Sequence, residues 1–271
     1  MSSEGKEQPT FSAEDFFRIQ PPPPHLQEHL DAVKSFVERN VSQGRRVVLV
    51  TSGGTTVPLE HNVVRFLDNF SAGTRGSASA EHFLRTGKYA VIFLHRQHSL
   101  QPFSRHYSHS TNPFLDLLEV VDGAGHDAVA PLVAHPPKLK GGMLFPPVPA
   151  VGRAGRELSR SNSVEESHTA EEEAWTGEGK TTIQIPPPHL GPMLSLVRSY
   201  KLVKSMRILH SIAFTTVDEY FFFLRGVSRV MGIAKDAEGK ALGRRGMYYL
   251  AAAVSDFYIP RQRMVSPHLQ F

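Results

Sequence analysis

The chain has 271 residues, a length that allows one large domain or two small ones. Its 30 basic and 26 acidic residues leave a formal net charge of +4, which suits binding of phosphorylated small molecules and does not require nucleic acid. Lysine and arginine are not concentrated in any run, so we expect no nucleic-acid partner. The sequence contains no cysteine, which excludes disulfides, cysteine-ligated zinc sites and thiol nucleophiles.

No stretch of the sequence approaches the roughly 20 apolar residues that a membrane-spanning helix requires. The N-terminal residues also lack the basic flank and apolar run of a signal peptide. We therefore expect a cytoplasmic protein with no membrane partner.

The first region of the chain ends in four consecutive prolines, Pro21–Pro24. Such a segment is extended and does not start a helix interior, so residues 1–24 are predicted to be a disordered tail. From Leu26 to Val37, apolar residues then recur at spacings of three and four, which predicts a helix.

A strand–loop–helix–strand pattern follows this helix. The aliphatic run Arg46–Val50 predicts a strand that is buried on both faces, as in a parallel sheet. A helix is predicted for about 74–86, where Gly87 stops it, and a second buried strand for Ala90–Leu94. This order predicts an α/β fold with a right-handed crossover.

The composition changes between residues 121 and 192, where 10 of the 20 prolines lie. No period of two or 3.6 residues persists there, so we expect a disordered insertion. Beyond it, the pattern predicts a strand at Ile212–Thr215, a helix at Val217–Val230 and a buried strand at Met247–Val254.

The first of three motifs that can carry chemistry is Ser52-Gly53-Gly54-Thr55, directly after a buried strand. Glycines allow a tight turn in which N–H groups point at an anion, and the hydroxyls add donors. Open α/β sheets bind ligands at the carboxyl ends of their strands. The spacing matches neither common phosphate-binding glycine motif. On spacing alone, ligand binding and a plain tight turn are equally supported.

The second motif, Asn69–Gly76, opens the helix predicted at 74–86. Free N–H groups at a helix N-terminus attract phosphate, and Arg75 can add a forked contact. Asn69 can both donate and accept hydrogen bonds. The alternative is an ordinary capping turn with a solvated arginine.

The third motif, Ala251–Phe257, places small residues at the end of a predicted strand, where a ligand can approach the backbone. Asp256 would lie at the rim of such a site. The pattern alone favours an aspartate that caps a turn.

Histidines and phenylalanines offer two further candidate sites. Four histidines lie between residues 95 and 109. The sequence shows no H-E-x-x-H helix or clear carboxylate partner for them, so we expect exposed loop histidines and no metal site. Phe221–Phe223 is expected to pack in the core rather than to form an aromatic binding platform. The four histidines are His95, His98, His106 and His109.

Taken in order, the three motifs resemble those of the phosphopantothenate–cysteine ligase family of eukaryotes. The resemblance covers roughly residues 25–120 and 193–260. The matching segments are Arg45–Thr55, Val57–Glu60, Val64–Gly76, Ala213–Thr216 and Tyr249–Tyr258.

The resemblance implies a Rossmann-like α/β fold, with a mostly parallel sheet flanked by helices, and a homodimer. Residues 25–260 would form one ligase-like domain, interrupted by the insertion at 121–192. The implied activity is ATP-dependent ligation of cysteine to phosphopantothenate through an acyl-adenylate, in coenzyme A biosynthesis. ATP would be a substrate and Mg²⁺ would accompany it.

The resemblance also implies roles for individual residues. Asn69 would be the catalytic residue, holding phosphopantothenate and its activated carboxyl group. Ala252, Ala253 and Asp256 would contact the pantothenate arm, with Asp256 a candidate for contact across a subunit interface. The nucleotide-binding residues would be Gly53, Gly54, Thr55, Ser71, Gly73, Arg75 and Gly76.

The sequence departs from the family after the Ser255-Asp256-Phe257 motif. Family members continue with a lysine-bearing segment and further strands, whereas residues 261–271 here form a divergent tail. We therefore expect a fold that is incomplete at the C-terminus. The alternative function is a catalytically inactive truncated isoform or fragment of the family that acts through dimerisation or another interaction.

Overall fold

A computed structural model describes residues 12–61, 64–107, 114–121, 182–236, 238–260 and 263–264. Contacts divide the chain into two units, one of residues 1–112 with 192–271 and the other of residues 113–191. In these ranges, no helix combines the length and the apolar character needed to cross a membrane.

The described part of the chain contains five α-helices and eight strands. In chain order, they are α1 (Ala13–Ile19), α2 (Leu26–Ser42), β1 (Arg46–Ser52), β2 (Thr56–Pro58), β3 (Phe66–Asp68), α3 (Thr74–Arg85), β4 (Tyr89–Arg96), β5 (Glu119–Val121), β6 (Thr182–Gln184), α4 (Pro187–Met206), β7 (Leu209–Phe214), α5 (Val217–Ile233) and β8 (Gly246–Leu250).

A four-stranded parallel sheet, in the order β7-β4-β1-β8, forms the centre of the first unit. Residues 47–50 of β1 and 90–94 of β4 are fully buried, which confirms the prediction of strands covered on both sides. The chain runs outward from β1 through β4 to β7 and then returns to the other side of β1 with β8. The strand order therefore reverses between β1 and β8.

Helices flank this sheet, so the predicted α/β fold is confirmed. The apolar face of α2 buries Val33, Phe36 and Val37, as its three- and four-residue spacing predicts. Helix α5 begins with a capping box, in which Thr216 accepts a hydrogen bond from the Glu219 N–H and Glu219 accepts one in return.

Three elements lie wholly or partly where the sequence predicts disorder. The predicted tail at 1–24 contains α1, and the insertion predicted at 121–192 contains β6 and the start of α4. These predictions are wrong over those residues, while residues 1–11 and 122–181 lie outside the described ranges. Pro187 and Pro188 do not prevent α4 from forming, because proline is tolerated in the first turn of a helix, where both lie.

Helix α1 is held by an aromatic contact. Phe16 is 6% exposed, and its ring lies edge-on to Phe221 at 5.6 Å and to Tyr258 at 5.2 Å. Gln20, just after the helix, donates a hydrogen bond to the Tyr258 hydroxyl. The partial burial of the Phe221–Phe223 segment confirms its predicted core role, since Phe223 is 4% exposed.

The last strand, β8, and the residues after it form the C-terminal part of the first unit. In the described part of the chain, β8 lies at one edge of the sheet. Its residues Tyr248 and Leu250 expose 48% and 58% of their surface. Of the predicted divergent tail at 261–271, only residues 263–264 lie in the described ranges.

The contact of α1 predicts that Phe16→Ala destabilises the protein, although the sequence pattern assigns this segment to a tail. We expect the free energy of unfolding to fall by about 3 kcal/mol, because the ring fills a buried site. Ile19→Ala, at an exposed position of the same helix, should change it by less than about 0.5 kcal/mol. Urea denaturation measures both, and equal, negligible effects would show that α1 does not stabilise the fold.

Candidate functional site

The three sequence motifs meet at the carboxyl edge of the sheet. The first motif begins at Ser52, the last residue of β1, and Ala251–Asp256 follows β8, the immediate neighbour of β1 in the sheet. The segment Asn69–Gly73 leads from β3 to the N-terminus of α3 and lies against the turn that ends β1. Because the strand order reverses between β1 and β8, the crevice between their ends is where open α/β sheets bind ligands.

Backbone hydrogen bonds join the first motif to the third. The Ala253 N–H donates to the Gly53 carbonyl at 2.7 Å, and the Thr55 N–H donates to the Ala253 carbonyl at 3.1 Å. The Ser255 N–H donates to the Thr55 hydroxyl at 2.9 Å. Thr55 is fully buried, so its side chain holds the third motif in place.

The alanines of the third motif use their N–H groups internally. The hydroxyl of Thr51 accepts from the N–H groups of Ala251 and Ala252, at 3.1 and 3.2 Å. Ala252 and Ala253 therefore offer a ligand little bulk rather than free N–H donors. Asp256, at the rim, is exposed and makes no side-chain hydrogen bond within the described ranges.

The second motif is pressed against the first. A Cβ atom built on Gly54 would lie 1.6 Å from the Asn69 carbonyl oxygen, a distance that no side chain tolerates. The Asn69 N–H donates to the Thr55 carbonyl at 3.0 Å. The Asn69 side chain is half-buried and hydrogen-bonds to none of the residues that the structure describes, so its donors and its acceptor are available to a ligand.

Helix α3 presents an uncapped N-terminus to the same place. Its first residue is preceded by Gly73, which has a φ of +80° and supplies no side-chain cap. The Ser52 hydroxyl donates to the Gly73 carbonyl at 3.0 Å, and a Cβ on Gly76 would lie 2.4 Å from Ser52. The first-turn N–H groups of α3 are thus held next to the β1 turn, where they suit an anion.

Ser71 and Arg75 flank this helix end. The Ser71 hydroxyl accepts a hydrogen bond from the Gly73 N–H at 3.3 Å. Arg75 is exposed and forms no ion pair with the described residues, so its guanidinium is available for an anion.

The structure adds a segment that the sequence analysis missed. Residues 97–100, directly after β4, line a cavity of about 380 Å³ together with Ser71 and Ala72. The Leu100 N–H donates to the Ala72 carbonyl at 2.9 Å, and this bond joins the 97–100 segment to the second motif across the cavity. No composition or spacing signal marks this segment, and only the strand order brings it to the second motif.

A buried carboxylate holds the chain beyond that segment. Glu81 of α3 accepts hydrogen bonds from the Phe103 N–H at 3.2 Å and from Arg105 at 3.0 Å, and it pairs with His106 at 3.1 Å. Burial raises the pKa of Glu81, but the bonds from His106, Phe103 and Arg105 outweigh it and leave that pKa below its usual value. Glu81 therefore adds stability above its unfolded-state pKa, and this stability is lost as the pH falls through the folded-state pKa.

The four histidines occupy different environments. His95 is 5% exposed and stacks on Phe93 inside β4, so the prediction of an exposed loop position is wrong for it, because β4 continues to Arg96. Burial lowers the pKa of His95. His98 is exposed at the cavity, and His109 lies outside the described ranges. No group of three or more histidine and acidic side chains suited to a metal ion occurs in the described part of the chain.

Several curated proteins resemble this chain over nearly all of its length. Phosphopantothenate–cysteine ligase CAB2 of Saccharomyces cerevisiae is 34% identical over 265 residues, which is 96% of this chain and 53% of that protein. Phosphopantothenate–cysteine ligase 2 of Oryza sativa is 34% identical over 95% of this chain and 60% of its own length. The human phosphopantothenate–cysteine ligase is 34% identical over 92% of this chain and 60% of its own length.

The chain thus spans between about half and three fifths of the length of these relatives. A solved structure of a Cab2 mutant in complex with phosphopantothenate-cysteine has a TM-score of 0.63 and 32% identity, covering 95% of this chain and 61% of that one. No protein-family model matches the chain.

Substitution by alanine should have opposite effects at Gly54, which is crowded by Asn69, and at Gly232, which is not. Gly54→Ala should reduce the free energy of unfolding by about 1–3 kcal/mol, because the methyl group must displace the Asn69 backbone. Gly232→Ala, in α5 with open space around it, should raise it by about 0.5–1 kcal/mol. Chemical denaturation measures both. If Gly54→Ala were as harmless as Gly232→Ala, the close approach would be absent.

Proposed function

We propose that this chain, a homologue of the phosphopantothenate–cysteine ligases, serves the ATP-dependent ligation of cysteine to phosphopantothenate in coenzyme A biosynthesis. The observation that carries the proposal is the meeting of three motifs, distant in sequence, at the β1–β8 crevice. Asn69, the uncapped start of α3 and the alanines after β8 together offer a neutral hydrogen-bonding side chain, an anion site and a surface of small residues.

The reaction needs an activated carboxyl group. A carboxylate oxygen of phosphopantothenate attacks the α-phosphorus of ATP, the bond to pyrophosphate breaks, and an acyl-adenylate forms. The amine of cysteine then attacks the acyl carbon, the amide bond forms, AMP leaves and the nitrogen loses a proton. Activation is required because a carboxylate is a poor acyl donor until its oxygen becomes part of a good leaving group.

Phosphate groups fit the turn that ends β1 and the start of α3. Gly53 and Gly54 let this turn pack closely against Arg96 and Asn69, while Ser71 and the first-turn N–H groups of α3 provide donors. Arg75 adds a positive charge at the rim. Thr55 contributes indirectly, since its hydroxyl fixes Ser255.

Phosphopantothenate fits the other side of the crevice. The Asn69 amide would hold the carboxyl group as charge shifts onto the adenylate, a role for a preset neutral donor. Ala252 and Ala253 permit a close approach of the pantothenate arm, and the free carboxylate of Asp256 can accept hydrogen bonds from its hydroxyl or amide groups.

Mg²⁺ would arrive with ATP. This ion usually keeps several waters and is bound through substrate phosphates rather than by a dedicated protein cage. That mode suits a site whose described residues provide hydroxyl and N–H donors for phosphate but no cluster of acidic ligands. When bound, the ion neutralises charge on the phosphates.

A homodimer would cover apolar side chains beside the site. Strands β2 and β3 pair antiparallel as a hairpin. In and beside β3, four apolar residues expose 74%, 47%, 46% and 82% of their surface: Val64, Phe66, Leu67 and Phe70. A patch of this kind commonly marks an interface. A second copy of the chain seated there would adjoin Asn69, consistent with a site shared between subunits.

The second candidate is a catalytically inactive member of the family that acts through dimerisation or another interaction. Its supporting observation is the exposed apolar surface of β8, at Tyr248 and Leu250, in the described part of the sheet. Turnover separates the two candidates. Cysteine-dependent release of pyrophosphate by the purified chain supports the ligase, whereas ligand binding without turnover supports the inactive form.

The proposed role of Asn69 predicts that Asn69→Asp weakens phosphopantothenate binding at least about tenfold, because it replaces an amide donor with a charge that repels an anionic ligand. Isothermal titration calorimetry measures the affinity, and the melting temperature should change little. Gln43→Glu, the same change at an exposed position at the end of α2, is the matched control and should bind like the unaltered chain. Unchanged affinity in Asn69→Asp would remove Asn69 from the site, and no binding by the unaltered chain would contradict the proposed function.

A further inference from the structure

A forked ion pair lies immediately beside Asn69. The guanidinium of Arg96, the last residue of β4, contacts both carboxylate oxygens of Asp68, the last residue of β3, at 2.5 and 3.0 Å. The Arg96 and Asp68 side chains are 17% and 33% exposed, so the pair is partly shielded from water. Two parallel hydrogen bonds fix both distance and orientation, which a single contact does not.

The arginine side of the pair stands on a rigid base. The Arg96 carbonyl accepts from the Ser99 N–H at 3.1 Å and from the Ser99 hydroxyl at 2.8 Å, and His95 Nδ1 lies 2.9 Å from it. The Arg96 Cβ lies so near Gly53 that a Cβ on this glycine would be 2.6 Å away. Arg96 therefore connects the β1 turn and the cavity wall to the β2–β3 hairpin.

The aspartate side of the pair is otherwise weakly held. Strand β3 has three residues, all of them exposed, and pairs with β2 alone. The residue after Asp68 is Asn69, whose position depends on its backbone because its side chain bonds to no described residue. Two contacts fix that backbone, the N–H bond to Thr55 and the approach to Gly54. The Arg96–Asp68 pair supplies a third contact, at the residue that directly precedes Asn69.

We propose that Arg96 and Asp68 are positioning residues, which hold Asn69 at the orientation that phosphopantothenate requires. The inference rests on the proposed function for its ligand. In this arrangement Arg96 is already occupied by Asp68 and does not itself bind the substrate anion. Displacing a binding group by about 1 Å can cost roughly a hundredfold, so a partly exposed ion pair can matter far more for the site than for stability.

Asp68→Asn distinguishes positioning from direct anion binding. If Arg96 positions the hairpin, losing the carboxylate releases Asn69, and the dissociation constant for phosphopantothenate rises roughly ten- to hundredfold. If Arg96 were instead an anion ligand, the same substitution would free its guanidinium and tighten binding. Arg96→Ala should weaken binding as much as Asp68→Asn does, and the double variant should be no worse than either, because both remove one interaction.

Arg96→Lys tests the forked geometry. Lysine keeps the charge but offers a single ammonium group, so it should restore only part of the affinity lost in Arg96→Ala. The control is the pair Arg245–Asp236, which has a 2.7 Å contact and precedes β8, away from the carboxyl edge. Asp236→Asn should lower the melting temperature about as much as Asp68→Asn but leave phosphopantothenate affinity unchanged.

Hydrogen–deuterium exchange without any ligand completes the experiment. Asp68→Asn and Arg96→Ala should speed exchange of the Asn69 N–H and of residues 70–73, while Asp236→Asn should not. Slowed or unchanged exchange there, or tighter phosphopantothenate binding by Asp68→Asn, would overturn the positioning role. If the unaltered chain fails to bind phosphopantothenate, the proposed function is contradicted, and the exchange rates still decide whether the pair orders the loop.

Discussion

The close approach of Gly54 to the Asn69 carbonyl is the contact on which the site depends. It exists because Gly54 has no Cβ, and it leaves no room for one. On the other side of the same turn, Gly53 and Thr55 exchange backbone hydrogen bonds with Ala253. One short turn after β1 therefore fixes two other loops at once, and a displacement of this turn would move both the asparagine and the alanines.

The sheet explains why this turn holds such a position. Strand β1 lies between β4 and β8, so its carboxyl end borders both neighbouring loops. Its side chains are buried on both faces, which makes it a rigid support. Helix α3 packs against the same strand through Gly76 and Ser52, and this brings the uncapped helix end to the crevice. Under the proposed function, the anion-binding and substrate-positioning groups would thus share one buried strand as their support.

Burial falls from β1, which is covered on both faces, to β3, whose three residues are exposed. The β2–β3 hairpin is short, exposes Phe66, Leu67 and Phe70, and is tied to the rest of the unit at Thr56 and through the Arg96–Asp68 pair. Functional groups on short, exposed elements need such additional contacts if they are to stay within a fraction of an ångström of a productive geometry. The proposed positioning role would account for an ion pair directly before Asn69, whose side chain bonds to no residue that the structure describes.

Much of this arrangement was predictable from the sequence. The aliphatic runs predicted β1 and β4, because strands buried on both faces need continuous apolar residues. The glycines at 53, 54, 73 and 76 pointed to the right turns, because glycine is required where backbones approach closely. Other features depend on contacts that leave no local signal. The Arg96–Asp68 pair joins residues 28 positions apart, and α1 is stabilised by Phe221 and Tyr258, more than 200 residues away.

Backbone NMR during titration with phosphopantothenate tests the central claim most directly, because it locates the ligand without requiring turnover. The account predicts that the amide resonances of Asn69, Ala252, Ala253 and Asp256 shift together and saturate at one ligand concentration, while those near Asp236, away from the carboxyl edge, do not move. Shifts confined to the groove between Phe103 and Tyr200, with the β1–β8 crevice unaffected, would contradict it.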